Sequence, residues 1–230
     1  MSVVLSPSNL QTFRQCPRQF YGKTVTRQIV WKPTKQKTRG TQMHTLMERA
    51  MRMGWSDDIS GQFDNQVDIM MAKDTVDFVV GMRKTGWDLR IEHEMCVDGK
   101  CNPCGWWDEA AALRAKADVV LVPEDAYDCL FIGDIKTGKK YDNDHFQLRV
   151  EALLGHIIYG VKEVAYYYWY IDSGDIDYAS IDFSRGLADV QDVLDTIRDC
   201  RQSIKNNYFP PTNNVFCKWC EWYKKKECGL

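Results

Sequence analysis

Asp134-Ile135-Lys136 closes a stretch, Cys129-Leu130-Phe131-Ile132-Gly133, that is apolar on both sides. Residues two apart on a strand share a face, so Asp134 and Lys136 point the same way beside a core. A carboxylate there is costly unless it is paired or holds a cation. In isolation, a salt-bridged pair at a strand end explains an Asp-x-Lys. Asp118, within Ala117-Asp118-Val119-Val120-Leu121-Val122, places a second carboxylate against apolar neighbours on another strand. Two carboxylates on adjacent strands with a lysine beside them suit phosphodiester hydrolysis by a hard divalent ion. The carboxylates would fix Mg²⁺ or Mn²⁺, and the lysine would orient the nucleophile or offset transition-state charge.

A second set of chemical residues lies at the C-terminal end. Cys217 and Cys220 form a CxxC, and Cys228 follows eight positions on. Three thiolates so close reach one metal centre, and a closed site takes a fourth ligand from elsewhere. Zinc and an iron–sulfur cluster accept the same four thiolates. Cys96, Cys101 and Cys104 offer a weaker zinc-type grouping with His93, whereas Cys129 and Cys200 fall on apolar stripes and read as core.

The elements that must carry these residues follow from hydrophobic period. Ser6-Pro7 reads as an N-cap and first turn, and Cys16-Pro17 ends that helix. A helix from Thr41 puts Met43, Leu46, Met47 and Ala50 on one stripe, with His44 at its edge. Another spans about 64–84. Strands are expected at 89–97, 112–122 and 128–135, the last buried on both faces. A helix over 143–159 follows, then a hairpin of 164–171 and 176–183 turning at Ser173-Gly174, and a long helix from Leu187 to Ile204. In the first strand, Leu89, Ile91, His93, Met95 and Val97 form the inward set, and Arg90, Glu92 and Glu94 alternate with them.

With 230 residues, 44% hydrophobic and 27% charged, the chain has ordinary globular composition. Its longest apolar run, Val164 to Ile171, is far shorter than a membrane span requires. With no basic n-region opening the chain, a cytoplasmic location is expected. Net charge is only −2, but residues 1–47 contain no acidic residue and eight basic ones, leaving −10 on the remainder. Such asymmetry suits either a phosphate-binding surface or a solvated basic face.

In order, these motifs resemble those of PD-(D/E)XK nucleases, in particular the RecB-like branch with the CRISPR-associated exonucleases and the AddB nuclease domain. Ser6-Pro7-Ser8 through Cys16-Pro17-Arg18-Gln19-Phe20-Tyr21 resembles that branch's N-terminal segment, and Gly40-Thr41-Gln42-Met43-His44 its "G-x-x-x-H". Asp118 matches the second-motif aspartate, Asp134-Ile135-Lys136 the D/E-x-K, and Gln147 the glutamine of a helix motif. That motif usually has tyrosine four residues later, where this chain has Glu151. The segment from Cys96 to Trp107 has no counterpart in the pattern.

The resemblance implies an α/β fold with a central mixed sheet flanked by helices. It also implies one nuclease domain over 1–230, with its core sheet in 86–183 and a clasp of 1–40 with 205–230 around a [4Fe–4S] cluster. Its ligands would be Cys16, Cys217, Cys220 and Cys228. His44, Asp118, Asp134 and the Ile135 backbone carbonyl would hold Mg²⁺ or Mn²⁺, and Asp118, Asp134 and Lys136 would be catalytic. Gln147, Arg14, Arg18 and Lys23 would contact nucleic acid. The implied activity is exonucleolytic cleavage of DNA, single-stranded at its ends. No membrane is involved, and protein partners would belong to DNA repair, recombination or CRISPR adaptation. The competing reading is a non-catalytic nucleic-acid-binding or adaptor protein on the same fold; an electron-transfer role for the cluster is a third.

Overall fold

Ser6 opens the first helix of the computed structural model, in which residues 3–29, 35–63, 65–123, 128–137, 145–224 and 227–229 are described. Its hydroxyl and the Asn9 side chain form a reciprocal capping box over α1 (Pro7–Gln15). Cys16 is extended, so α1 stops and α2 (Pro17–Phe20) starts afresh with Pro17 in its first turn. A π-helical turn, Tyr21–Val25, follows. The chain then forms α3 (Lys35–Met53), α4 (Asp57–Ser60), α5 (Gln66–Arg83), β1 (Trp87–Asp98), β2 (Ala111–Pro123) and β3 (Cys129–Lys136). Beyond these lie α6 (Phe146–Tyr159), β4 (Glu163–Tyr170), β5 (Asp175–Asp182), α7 (Gln191–Asn206) and α8 (Glu221–Lys224).

The five strands make one mixed sheet in sequential order. β2 and β3 are antiparallel, β3 and β4 parallel, and β4 and β5 antiparallel. The parallel step needs a crossover, which α6 provides. Gly155 lets that helix lie close to the sheet, because a Cβ there would sit 2.5 Å from Leu130. Gly133 does the same within the sheet: a Cβ would stand 2.0 Å from the Trp169 ring, so only glycine leaves room for that indole over β3.

The chain divides into two compact units. One comprises residues 33–95 and 115–186 and contains most of the sheet with α3 to α6. Its core joins Met43, Met47 and Ala50 of α3, Ala72, Val76 and Val79 of α5, and Val119, Leu121, Phe131, Ile135 and Trp169 of the strands. The other comprises residues 1–32, 96–114 and 187–230. There Leu5 bridges Leu113 in parallel, donating to Ala112 O and accepting from Arg114 N, both at 2.9 Å. Ile29, Trp222 and Cys228 form a small apolar cluster in the same unit. By sequence this unit has 14 basic and 9 acidic residues, whereas the sheet unit has 16 and 23. Among the described residues no helix is long and apolar enough to cross a membrane.

Expected and observed elements differ mainly at helix starts. α3 begins at Lys35, six residues before the expected Thr41. The Lys35-to-Gly40 turn has no apolar face for a periodicity to reveal; Arg39 anchors it, donating to Asp68 and Asp172, each at 2.6 Å. α7 begins at Gln191 because Ala188–Val190 forms a 3-10 turn capped by Leu187. The expected start of α6 at Asn143 lies outside the described residues.

Candidate active site

β2 and β3 pair through Val119↔Gly133, Val120↔Ile132 and Leu121↔Phe131. Asp118 and Asp134 are the next residue on each strand beyond this ladder. There the Asp118 side chain replaces a backbone partner: its Oδ2 accepts the Ile135 N–H at 2.7 Å. Its other oxygen accepts from His44 Nδ1 of α3 at 3.1 Å, so that nitrogen carries the proton in this arrangement. Gly40, one helical turn before His44, lets α3 approach the end of β3, since a Cβ there would be 3.1 Å from Thr137 Oγ1.

A residue that alternation hides joins them. Ligand atoms of His44, Glu92 and Asp118 all lie within 4.8 Å of one another. Glu92 sits inside β1 with φ 53°, a left-handed conformation that costs a side-chain-bearing residue and breaks the two-residue alternation. Left-handed residues of this kind re-aim side chains at β-bulges beside active sites. Glu92 also pairs with Lys116 of β2. Its acidic type was visible in the sequence, but not its aim.

Asp134 is 4% exposed. Its Oδ2 lies 2.6 Å from Lys136 Nζ, and its Oδ1 accepts from Gln147 Nε2 of α6 at 2.5 Å. Gln147 Oε1 accepts from Lys136 Nζ at 3.0 Å, and Gln147 Nε2 also donates to Glu151 Oε1 at 3.0 Å. The Tyr168 ring lies 5.1 Å from the Lys136 ammonium. The structure thus gathers His44, Asp118, Asp134, Lys136 and Gln147, and adds Glu92 and Glu151.

These buried charges disturb one another. Burial pushes the Asp134 carboxyl up to about 6; Asp118 reinforces this, and the Lys136 ammonium offsets part of it. Glu151 is also raised well above the usual carboxylate range, by burial and then by the Asp134 charge. Burial would lower Lys136, but Asp134 overrides it and the ammonium is retained. Burial would lower His44 too, but Asp118, with Asp134 and Glu92, leaves it raised. Hard oxygen donors with one imidazole are a donor set that Mg²⁺ or Mn²⁺ accepts. The electrostatic tension among the carboxylates is what a cation would relieve.

Cys16, Cys217, Cys220 and Cys228 line a single cavity in the other unit. Thr212 N donates to Cys16 Sγ at 3.4 Å and Asn214 N to Cys217 Sγ at 3.3 Å. The four sulfurs do not close to the mutual 4.8 Å of the His44 group, so no compact single-ion site is formed by them. Arg18 stacks on Tyr21 and Trp222, its guanidinium carbon 5.5 and 5.0 Å from the ring centroids. Lys23 is lowered by burial, partly offset by Cys220 and Cys16, and Arg14 lies 3.9 Å from Asp192. Of the weaker grouping, Cys96 and Cys104 sulfurs approach to 3.4 Å while Cys101 is exposed. The fourth member is engaged elsewhere, since His93 Nε2 lies 2.6 Å from the Tyr159 hydroxyl. The zinc-type site is therefore not assembled.

The sequence profile of the PD-(D/E)XK nuclease superfamily matches residues 4–224. The chain belongs to this superfamily. Asp134-Ile135-Lys136 has the residue types and spacing of the D/E-x-K in that name. The fold is also similar to a solved structure described as SSO0001, at 13% identity and a TM-score of 0.44, covering 96% of this chain and 84% of that one. An alkaline exonuclease from Laribacter hongkongensis is similar at 6% identity and a TM-score of 0.36, with 89% of each chain covered. No curated protein matches the sequence.

Proposed function

We propose that the protein is a Mg²⁺- or Mn²⁺-dependent deoxyribonuclease of the RecB-like branch that degrades single-stranded DNA from its ends. The observation that supports this most is the meeting of His44, Glu92 and Asp118 beside the Asp134–Lys136 pair, in a chain of the nuclease superfamily. His44, Asp118, Asp134 and the Ile135 carbonyl would hold the ion, and Glu92, within 4.8 Å of the His44 and Asp118 ligand atoms, would join them. When bound, the ion supplies Lewis acidity toward a phosphodiester and acidifies water. Hydrolysis joins the water oxygen to phosphorus, breaks one P–O ester bond and returns a proton to the departing oxygen. Lys136, kept cationic by Asp134, is placed to donate hydrogen bonds to the non-bridging phosphate oxygens as their charge grows. Asp118 holds the end of β3 through Ile135 N, so the carboxylates and the lysine keep their spacing.

For Cys16, Cys217, Cys220 and Cys228 we propose a [4Fe–4S] cluster. All four line one cavity, and they are the ligand set that the resemblance to the RecB-like branch implies. The cluster would be structural, joining the two ends of a net-basic unit that carries exposed Trp107 and Trp219 for stacking with single-stranded nucleic acid. A cytoplasmic location and partners in DNA repair, recombination or CRISPR adaptation complete the proposal.

The deciding experiment is Mn²⁺-dependent degradation of end-labelled DNA by wild type and Asp134→Ala. Cleavage by wild type alone supports the nuclease; equal, slow degradation by both favours a non-catalytic nucleic-acid-binding protein. For the cluster, anaerobically purified protein should absorb in the visible with equal iron and sulfide, and Cys220→Ala should lose this together with folding and DNA binding. A colourless protein containing zinc would overturn it.

A further inference from the structure

Resting on the nuclease reading above, we propose that Glu151 is a positioning residue that acts through Gln147 to fix the Lys136 ammonium. Glu151 lies one helical turn beyond Gln147, so both face β3 from the same side of α6. It is 1% exposed, and among the described residues its Oε2 has no hydrogen-bond partner. An apolar residue of similar volume would fill the position at lower cost, so a carboxylate kept there calls for a task.

That task follows from the Gln147 carboxamide. Lys136 can only donate, so the Gln147 oxygen must face it, which puts the amide nitrogen between the carboxylates of Asp134 and Glu151. Each of its two hydrogens then has an acceptor. Flipping the amide would set NH₂ against an ammonium and withdraw both N–H donors from the Asp134 and Glu151 oxygens. Glu151 thereby fixes the sense of Gln147, and Gln147 fixes the side of Lys136 opposite Asp134. The same bonds use both hydrogens of the Gln147 carboxamide, so its donors serve to hold the lysine and not to read nucleic acid.

The test compares wild type, Glu151→Gln and Glu151→Met on single-stranded DNA with Mn²⁺, together with side-chain amide hydrogen exchange of Gln147 in ¹⁵N-labelled protein. Glu151→Met should lose about 100-fold in kcat with KM nearly unchanged, as a misplaced catalytic group predicts. Its Mn²⁺ affinity and melting temperature should not fall. Glu151→Gln, whose carbonyl oxygen can accept the same bond, should restore most of kcat. Gln147 amide protons should exchange slowly in wild type and Glu151→Gln and faster in Glu151→Met. Full activity in Glu151→Met, a loss confined to KM, an equally impaired Glu151→Gln, or identical exchange in all three would each overturn the inference. If wild type cleaves nothing, the nuclease reading fails, but the exchange comparison still decides whether Glu151 orients Gln147. If Glu151→Met does not fold, slow exchange and near-full kcat in Glu151→Gln support the inference, and their loss refutes it.

Discussion

Asp118 accepts the backbone N–H of Ile135 at 2.7 Å, so a side chain of β2 secures β3 just where the ladder between them has ended. The same carboxylate faces His44 with its other oxygen. Structural and chemical duties are thus divided between its two atoms, and a substitution can separate them. Asp118→Asn keeps an oxygen for Ile135 and should melt within a few degrees of wild type. Its Mn²⁺ binding, followed by electron paramagnetic resonance, should weaken at least about 10-fold. A variant that binds Mn²⁺ like wild type would remove Asp118 from the ion site.

Glu92 offers a contrast, because its backbone is strained and its ion pair with Lys116 lies partly in solvent. Left-handed geometry costs a non-glycine residue roughly 1–2 kcal/mol, and a partly exposed pair repays about 1 kcal/mol at most. Glu92→Gly should therefore melt no lower than wild type while binding Mn²⁺ more weakly. Lower stability with unchanged ion affinity would show that the conformation serves packing alone.

The elevated Asp134 and Glu151 carboxyls set a pH dependence whose sign is the reverse of ordinary acid unfolding. Asp134 titrates near 4 in the unfolded chain and at about 6 in the fold, so the native state binds more protons in that interval. Without metal, stability from this group is full below pH 4 and is lost as pH rises through 6, on the order of 3 kcal/mol. Asp134→Asn should flatten this part of the denaturation profile. Mn²⁺ should bind more tightly as pH rises through the same interval and release protons, measurable by calorimetry in buffers of different ionisation heat.

Gly133 precedes Asp134 beneath the Trp169 ring, where a Cβ would come within 2.0 Å. Gly133→Ala should destabilise by about 1–3 kcal/mol through overpacking. It should also change tryptophan fluorescence and impair cleavage, because any shift of β3 moves Asp134. Wild-type melting and fluorescence would mean that the indole relaxes freely.

The strands were legible because each has a clear period or a doubly apolar run: β3 from Cys129 and β4 from Glu163 fall within a residue or two of expectation. Asp118, Asp134 and Lys136 came with them, since a charge on such a strand is conspicuous. Glu92 was hidden by the same rule: alternation groups it with Arg90 and Glu94, and nothing in the sequence announces a left-handed residue in mid-strand. Glu151 stood out only as a departure from a pattern, and its partner became visible once α6 lay against β3. The start of α3 was hidden because Arg39 fixes it by charges from Asp68 and Asp172, distant in sequence, and not by an apolar stripe.

The offset between β2 and β3 has one more consequence. A slip of one residue would turn either aspartate to the opposite side of the sheet while leaving most of the hydrogen-bonded frame repairable. Partly misregistered molecules would then be compact yet wholly inert, so the specific activity of a preparation would count its correctly threaded fraction.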